Sequence, residues 1–267
     1  MSTIRWVETT GSTSTDLLAR CSAGEAAGGD ALATFDQRAG RGRAGAEWVT
    51  APGMGLALSV AIDASGVDLS NVASLVHPVG LAVRTVIAEA GAAGAALAWP
   101  NDIVVPYPEA VEGWGRWRKL GGILCERHAS GLIIAGIGVN LDYPADRLPV
   151  AWATSLRQAA PEWDGDREAL AERIVAEVCV ADAHWREHGG NLSYLAEELA
   201  RSSAWRDTVI TARAGAHTLG GTFRGVDDSG AALIETPGGI ERWISGEIRH
   251  VRAACDDGYT EECDRPR

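Results

Sequence analysis

The chain has 267 residues, a formal net charge of −12 and a pI near 4.9, with 46% hydrophobic residues. That length supports one large domain with a smaller one attached, while the acidity argues against a general nucleic-acid binder or a partner of anionic membrane surfaces. Five cysteines, at 21, 125, 179, 255 and 263, form no C-x-x-C pair, which suits a reduced, cytoplasmic protein and gives no metal signature.

Met1 to Val7 lacks the apolar core of a signal peptide, and no apolar run reads as long enough to span a bilayer. Ile4-Arg5-Trp6-Val7 reads as a short strand. Gly11-Ser12-Thr13-Ser14-Thr15-Asp16 turns into a helix that Ser12 or Thr13 can cap, with Asp16 in its first turn. The hydroxyls serve either as caps alone or, with the free amides of a helix start, as contacts for a polar ligand. Ala31 to Phe35 is a candidate buried strand.

The stretch from Asp36 to Trp48 holds three arginines in six residues and glycines at 40, 42 and 45. It satisfies G-x-G-x-x-G, yet a dinucleotide fingerprint opens a helix and this run leads into the strand-like Gly53 to Ile62. What survives is a flexible basic loop. Glycine allows close backbone approach, and Arg41 and Arg43 present forked donors suited to carboxylate or phosphate.

Asn71 to Ala90 carries apolar residues at a helical period, with Pro78 marking a kink or a late start. Ala95 to Val105 reads as strand, break, strand, with Pro100, Asn101 and Asp102 at the break, either as an ordinary turn or as polar contacts. Pro106 to Arg118 reads as a hairpin loop. Lys119 to Glu126 and Leu132 to Asn140 read as core strands. Glycine weakens a strand unless another backbone or a ligand approaches. Gly121, Gly122, Gly136 and Gly138 therefore mark either close strand packing or a pocket floor. Lys119 is the only lysine among 24 basic residues, which suggests a place for a compact ammonium that a planar guanidinium would not fit.

After the loop at 142–149 and Trp152-Ala153-Thr154-Ser155-Leu156, helices are expected over 167–188 and 192–201, the first with apolar positions at Leu170, Ile174, Val178 and Val180. From Asp207 short strands alternate with turns at Asp227-Asp228-Ser229-Gly230 and Pro237-Gly238-Gly239, which suits a small barrel. The acidic tail from Ala254 reads as disordered. The expected division is 1–204, 205–253 and 254–267.

Taken together, Gly11-Ser12-Thr13-Ser14, Gln37 through Gly45 with Trp48, Trp99-Pro100-Asn101-Asp102, Lys119-Leu120-Gly121-Gly122-Ile123-Leu124 and Gly136-Ile137-Gly138-Val139-Asn140 resemble the biotin protein ligases. The matching stretches run through almost the whole chain, and the order G-R-G-R-x-G, W-P-N-D, K-L-x-G-I-L is specific. The resemblance implies an α/β (α+β) fold: a class II synthetase-like mixed sheet with flanking helices, followed by a small SH3-like β-barrel. It implies that biotin and MgATP give biotinyl-5′-AMP and pyrophosphate, and that a lysine of a biotin carboxyl carrier domain of a biotin-dependent carboxylase then takes the biotinyl group.

Joining a carboxylate to an α-phosphate calls for cations rather than a protein nucleophile, so the lack of a recognisable Ser/His/Asp or Cys/His set is no obstacle. By resemblance Ser12, Thr13, Ser14 and Gln37 meet the biotin head group. Arg41 and Arg43 hold carboxylate and phosphate, with Gly40 and Gly42 letting the loop close. Lys119 neutralises the reacting oxygens, while Gly122, Ile123 and Gly136 line the pocket. Trp48, Asn101, Gly138 and Asn140 belong to the nucleotide side, and Trp152 stacks on adenine or is a core tryptophan. Asp102 ligates Mg²⁺ or orients the incoming amine.

Two positions depart from the family pattern: Ser14 stands where asparagine is usual, and Ala98 where lysine precedes W-P-N-D. The second removes a cation near the nucleotide. Some family members carry an N-terminal winged helix and repress transcription; here the pattern begins by residue 12, so no DNA partner is expected. The rival readings are a lipoate-protein ligase and a non-catalytic biotin sensor, the latter motivated by Ala98.

Overall fold

The structure, a computed structural model, describes residues 4–128 and 131–250. A seven-stranded sheet forms the larger layer. Its strands are β1 (Ile4–Trp6), β2 (Ala31–Thr34), β5 (Gly55–Asp63), β6 (Ala96–Ala98), β7 (Asp102–Val111), β8 (Gly115–Arg127) and β9 (Leu132–Asn140), in the order β1-β2-β5-β9-β8-β7-β6. Only β1 and β2 run parallel; every other neighbouring pair is antiparallel. The two-residue strands β3 (Gly40–Arg41) and β4 (Glu47–Trp48) make a separate hairpin of the basic loop.

Helix α1 (Thr13–Ser22) covers one face of this sheet and α2 (Val76–Glu89) with α4 (Arg167–Glu187) the other; α3 (Leu156–Ala159) and α5 (Ala196–Ser202) are short. Because both faces are covered, β5 reads Leu-Ala-Leu-Ser-Val-Ala-Ile without polar alternation and is buried from Gly55 to Ile62. Leu56, Leu58, Val60 and Ile62 join the α2/α4 core, while Ala61 packs with Leu17 of α1. Ser59 therefore faces the side on which α1 lies.

Pro78 marks a late start: a 3₁₀ turn over Val72–Leu75 precedes α2, and Pro78 falls in its first turn, where its missing N–H costs nothing. By composition Val72–Glu89 is long and apolar enough to cross a membrane, contrary to the sequence expectation. Here it is a core helix, with nine residues of α2 buried. The expected loop at 106–118 is corrected as well, since β7 and β8 extend through it and leave only Glu112 to Trp114 as a turn. Val180 is 53% exposed; it lies off the stripe that Leu170, Ile174 and Val178 bury.

The C-terminal layer is an SH3-like antiparallel sheet of β10 (Val209–Ala214), β11 (His217–Val226), β12 (Ala232–Thr236), β13 (Gly239–Trp243) and β14 (Glu247–His250), in the order β13-β12-β11-β10-β14. Gly239 enters β13 rather than ending its turn. The core of this sheet is continuous with the β6–β8 end of the larger one through Trp99, Trp114 and Trp205. The indole Nε1 of Trp99 donates to the Gly230 carbonyl (3.0 Å), the Gly113 carbonyl accepts from the His250 amide (3.0 Å), and His77 Nε2 lies 3.0 Å from the Gly230 oxygen. These ties fix the last strands against the larger sheet. The expected tail at 254–267 lies outside the described residues.

Candidate active site

A cavity of about 280 Å³ opens on the α1 face of the large sheet, under the basic hairpin and beside β14. Its polar end is the start of α1. Ser12 caps that helix by accepting from the Thr15 amide, and the Thr13 amide donates to Gln37 Oε1 at 2.9 Å. Thr13 Oγ1 lies 2.8 Å from Ser59 Oγ, and Ser14 Oγ lies 3.0 Å from the same atom. Four short polar side chains thus meet at one helix N-terminus, where the helix dipole favours electron-rich ligand atoms. Ser59 was not singled out from sequence. The available signal was a lone hydroxyl in the apolar run of β5, since a buried hydroxyl calls for a partner.

The charged end depends on an irregularity in β8. Ile103 pairs with Gly121 but Val104 pairs with Lys119, so Leu120 is an extra residue, a β-bulge. Lys119 and Gly122 are three apart, and a regular strand would put them on opposite faces. The bulge brings them together: a Cβ placed on Gly122 would lie 3.5 Å from Lys119 Nζ and 3.5 Å from Asp102 Oδ1. Lys119 Nζ is 2.7 Å from Asp102 Oδ1, with side chains 25% and 15% exposed, and lies 5.5 Å from the Trp48 ring centre. The Lys119 amide donates to the Trp152 carbonyl (2.7 Å) and its carbonyl accepts from the Thr154 amide (2.9 Å), so the 152–154 segment holds this part of β8.

Arg43 reaches from the basic hairpin to the C-terminal layer, donating to the Gly246 carbonyl at 3.1 Å. Burial lowers its basicity, and the attraction of Asp102 and Glu247 partly offsets that. Arg41 pairs with Glu126 at 2.9 Å near the surface, a contact of small energetic value. Asn101 Nδ2 donates to the Ile123 carbonyl at 2.6 Å, fixing the turn that carries Asp102.

The strand glycines divide into two roles. A Cβ on Gly136 would come within 2.8 Å of Ser14 Oγ, and one on Gly138 within 2.7 Å of Trp48 Cζ2, so these two form floor. Gly121 instead packs on backbone, its Cβ position lying 2.6 Å from the Gly138 carbonyl oxygen.

Most residues singled out from sequence reach the wall: Ser12, Thr13, Ser14 and Gln37; Arg41, Gly42, Arg43 and Trp48; Asn101 and Asp102; Lys119, Gly122 and Ile123; Gly136, Gly138 and Trp152. Gly40 and Asn140 do not. Gly40 is buried against the Gln37 amide and the Trp48 carbonyl, and Asn140 Nδ2 donates to the Thr154 carbonyl at 2.9 Å, bracing the 152–154 segment. Ala98 is buried in the core shared with the C-terminal sheet, away from the wall. Trp152 is 38% exposed and its ring parallels Trp114 (8°) at 6.3 Å between centres, so it is a wall residue rather than a core one. Trp114, Glu247 and Arg249 join the wall without having been expected, because the hairpin tip and β14 reach it only through tertiary packing.

Among the described residues no group of three or more His, Cys, Asp or Glu forms a metal cage. Mg²⁺ commonly needs only one or two carboxylates when phosphate oxygens and water complete its shell. Asp102, on the inner wall, fits that limited role.

Comparison with known proteins agrees with this geometry. Residues 6–142, more than half the chain, match the Biotin/lipoate A/B protein ligase family, and 209–251 match the Biotin protein ligase C terminal domain. The chain is 31% identical over 252 residues to a biotin–[acetyl-CoA-carboxylase] ligase of Mycobacterium tuberculosis, covering 92% of this chain and 88% of that one. It is 30% identical over 240 residues to the bifunctional ligase/repressor BirA of Escherichia coli K12, covering 84% and 67%. In fold it is similar to the biotin protein ligase from Aquifex aeolicus in complex with biotin and ATP, with a TM-score of 0.77 at 23% identity over 93% and 98% of the two chains. With its two successive domain matches and a cavity built from the motifs of both strands and loop, the chain belongs to the biotin protein ligases of the biotin/lipoate ligase family.

Proposed function

We infer that the protein is an ATP-dependent biotin protein ligase. The observation that carries this reading is the convergence, in one cavity, of a polar helix start, the arginine hairpin and the Lys119–Asp102 pair. In the first step a biotin carboxylate oxygen attacks the α-phosphorus of MgATP, the bond to the bridging oxygen breaks, and pyrophosphate leaves. In the second a neutral acceptor lysine nitrogen attacks the acyl carbon, AMP leaves with the electron pair of the acyl–oxygen bond, and the nitrogen gives up one proton and keeps the other as the amide N–H.

Both steps bring anionic oxygens together, and the chain supplies cations rather than a nucleophile. Ser12, Thr13, Ser14 and Gln37 orient the head group of biotin at the α1 start. Lys119, Arg41 and Arg43 stabilise carboxylate and phosphate oxygens. Trp152 and Trp114 border the nucleotide end. Asp102 holds Lys119 in place and offers its carboxylate to the nucleotide's Mg²⁺ or to the incoming amine. The acceptor is a carboxyl carrier domain of a biotin-dependent carboxylase. Domain limits of 1–204 and 205–253 and a cytoplasmic location complete the reading.

The test is pyrophosphate release that requires both biotin and ATP, with ATP-dependent labelling of a purified carboxyl carrier domain. Release with lipoate in place of biotin would move the protein to the lipoate ligases. Tight biotin binding without release would make it a sensor.

A further inference from the structure

Where the start of α1 lies over β5, three hydroxyls and one side-chain amide form a connected set, and chemistry fixes the direction of each hydrogen bond. The Thr13 backbone N–H can only donate, so the Gln37 atom 2.9 Å away is the amide oxygen, Oε1. Thr13 Oγ1 lies 3.2 Å from that same oxygen and gives it its single proton. Toward Ser59 Oγ, 2.8 Å away, Thr13 Oγ1 must therefore accept, and the proton between them belongs to Ser59. Ser59 then has no proton left for Ser14 Oγ at 3.0 Å, so Ser14 is the donor of that pair. The chain of donors runs one way, from Ser14 to Ser59 to Thr13 to Gln37.

Position matters as much as direction. Ser59 is fully buried in β5, opposite Gly136 of β9, and stays behind the cavity wall that Thr13, Ser14 and Gln37 reach. Ser14 Oγ stands over the bare backbone of Gly136, 2.8 Å from where a Cβ would be. A serine hydroxyl that turns freely can offer a ligand either its proton or its lone pairs. Here the proton is drawn down to Ser59, which leaves Ser14 with lone pairs alone to offer the cavity.

We propose that Ser59 is a positioning residue that fixes Ser14 as a hydrogen-bond acceptor, and that this acceptor selects acids whose ring end carries an N–H, as a cyclic urea does. The proposal rests on the ligase reading and deepens it. A ring with an N–H replaces the water that Ser14 Oγ loses when the cavity fills. A dithiolane ring has none, so it would strip the oxygen of water and return nothing. Leaving a desolvated polar atom unpaired costs more than a hydrogen bond contributes, and so a site of this kind rejects the wrong ring more strongly than it rewards the right one. Ser59 touches no substrate and acts only through the polarity it imposes on Ser14.

The experiment reads the biotin end and the nucleotide end separately in the full chain. For Ser59→Ala, calorimetric Kd and KM for biotin should rise by about tenfold, the worth of one hydrogen bond, while KM for ATP and kcat at saturating biotin hold. Ser59→Cys fills the same space with a poor donor and should behave like Ser59→Ala. Ser14→Ala should weaken biotin to a similar degree, and the Ser14→Ala/Ser59→Ala double variant should be little worse than either single one. Melting curves establish that each variant is folded. Unchanged biotin binding in Ser59→Ala would overturn the proposal. So would recovery in Ser59→Cys, which would make Ser59 a filler of space. Losses that multiply in the double variant would overturn it too, because the two serines would then act independently. An equal rise in KM for ATP would do the same, pointing to general damage of the cavity. Calorimetry needs no turnover, so a wild type that binds biotin without releasing pyrophosphate would sink the ligase reading alone and leave Ser59 to be decided on Kd.

Discussion

Replacing Lys119 by alanine removes the one ammonium in the cavity wall and should cost the first half-reaction about a hundredfold. Nζ stands 2.7 Å from Asp102 Oδ1, so a substrate oxygen brought to the same ammonium would be at similar range. Unit charges about 4 Å apart attract by about 4 kcal/mol at an effective dielectric of 20. The Lys119 side chain is 25% exposed, and solvent screening brings the useful part to about 3 kcal/mol, or roughly a hundredfold in rate. Lys119→Arg should not rescue. The ammonium occupies a space bounded by Asp102, the Gly122 backbone and the Trp48 ring, where a planar five-donor fork has no room. The assay is single-turnover pyrophosphate release at saturating biotin and ATP, with melting curves to confirm that each variant is folded. A loss below fivefold for Lys119→Ala, or full activity in Lys119→Arg, would refute the role assigned to this cation.

The glycines allow a paired test. Gly121→Ala places a Cβ 2.6 Å from a backbone oxygen that cannot yield and should lower stability by about 1–3 kcal/mol, read from denaturant midpoints. Gly138→Ala meets the Trp48 indole instead, so biotin and nucleotide binding by calorimetry should fall with little change in melting. Burial pushes the His77 imidazole from 6.5 down to about 4, so the folded chain holds it neutral where the unfolded chain takes a proton. Its contribution is full above pH 6.5 and is lost as pH falls toward 4, an effect of about 3 kcal/mol that His77→Gln should remove from the pH dependence of urea midpoints. Finally, Lys119 is the sole lysine, so incubation with biotin and ATP alone should leave the chain almost unmodified. Mass spectrometry showing heavy labelling away from the N-terminal amine would contradict this.

How much of this was legible in the sequence depends on how far apart the cooperating residues lie. The capped start of α1, the strand at 55–63, the late start of α2 at Pro78 and the turn-punctuated C-terminal strands follow from local pattern, and the structure has them. The hairpin at 106–118 was hidden because Trp, Gly and Pro read as loop signals, whereas Trp114 is placed by packing against the other layer. Arg249 carries no local mark at all; it joins the cavity because the Gly113 carbonyl ties the chain around β14 to the larger sheet and the Arg43 guanidinium ties it to the basic hairpin.

The bulge at Leu120 shows the limit from the other side. Within Lys119-Leu120-Gly121-Gly122 the lysine and the glycine beside it are separated by three positions, an odd spacing that a regular strand would split between its two faces. Reading the segment as a plain strand therefore predicts that either Lys119 or Gly122 is turned away from the cavity. Both belong to it only because one residue is inserted, and Leu120, fully buried, anchors that insertion in the core. The motif is thus a geometric statement: its spacing encodes a β-bulge, and the bulge is what sets an ammonium against a carboxylate above a bare glycine backbone.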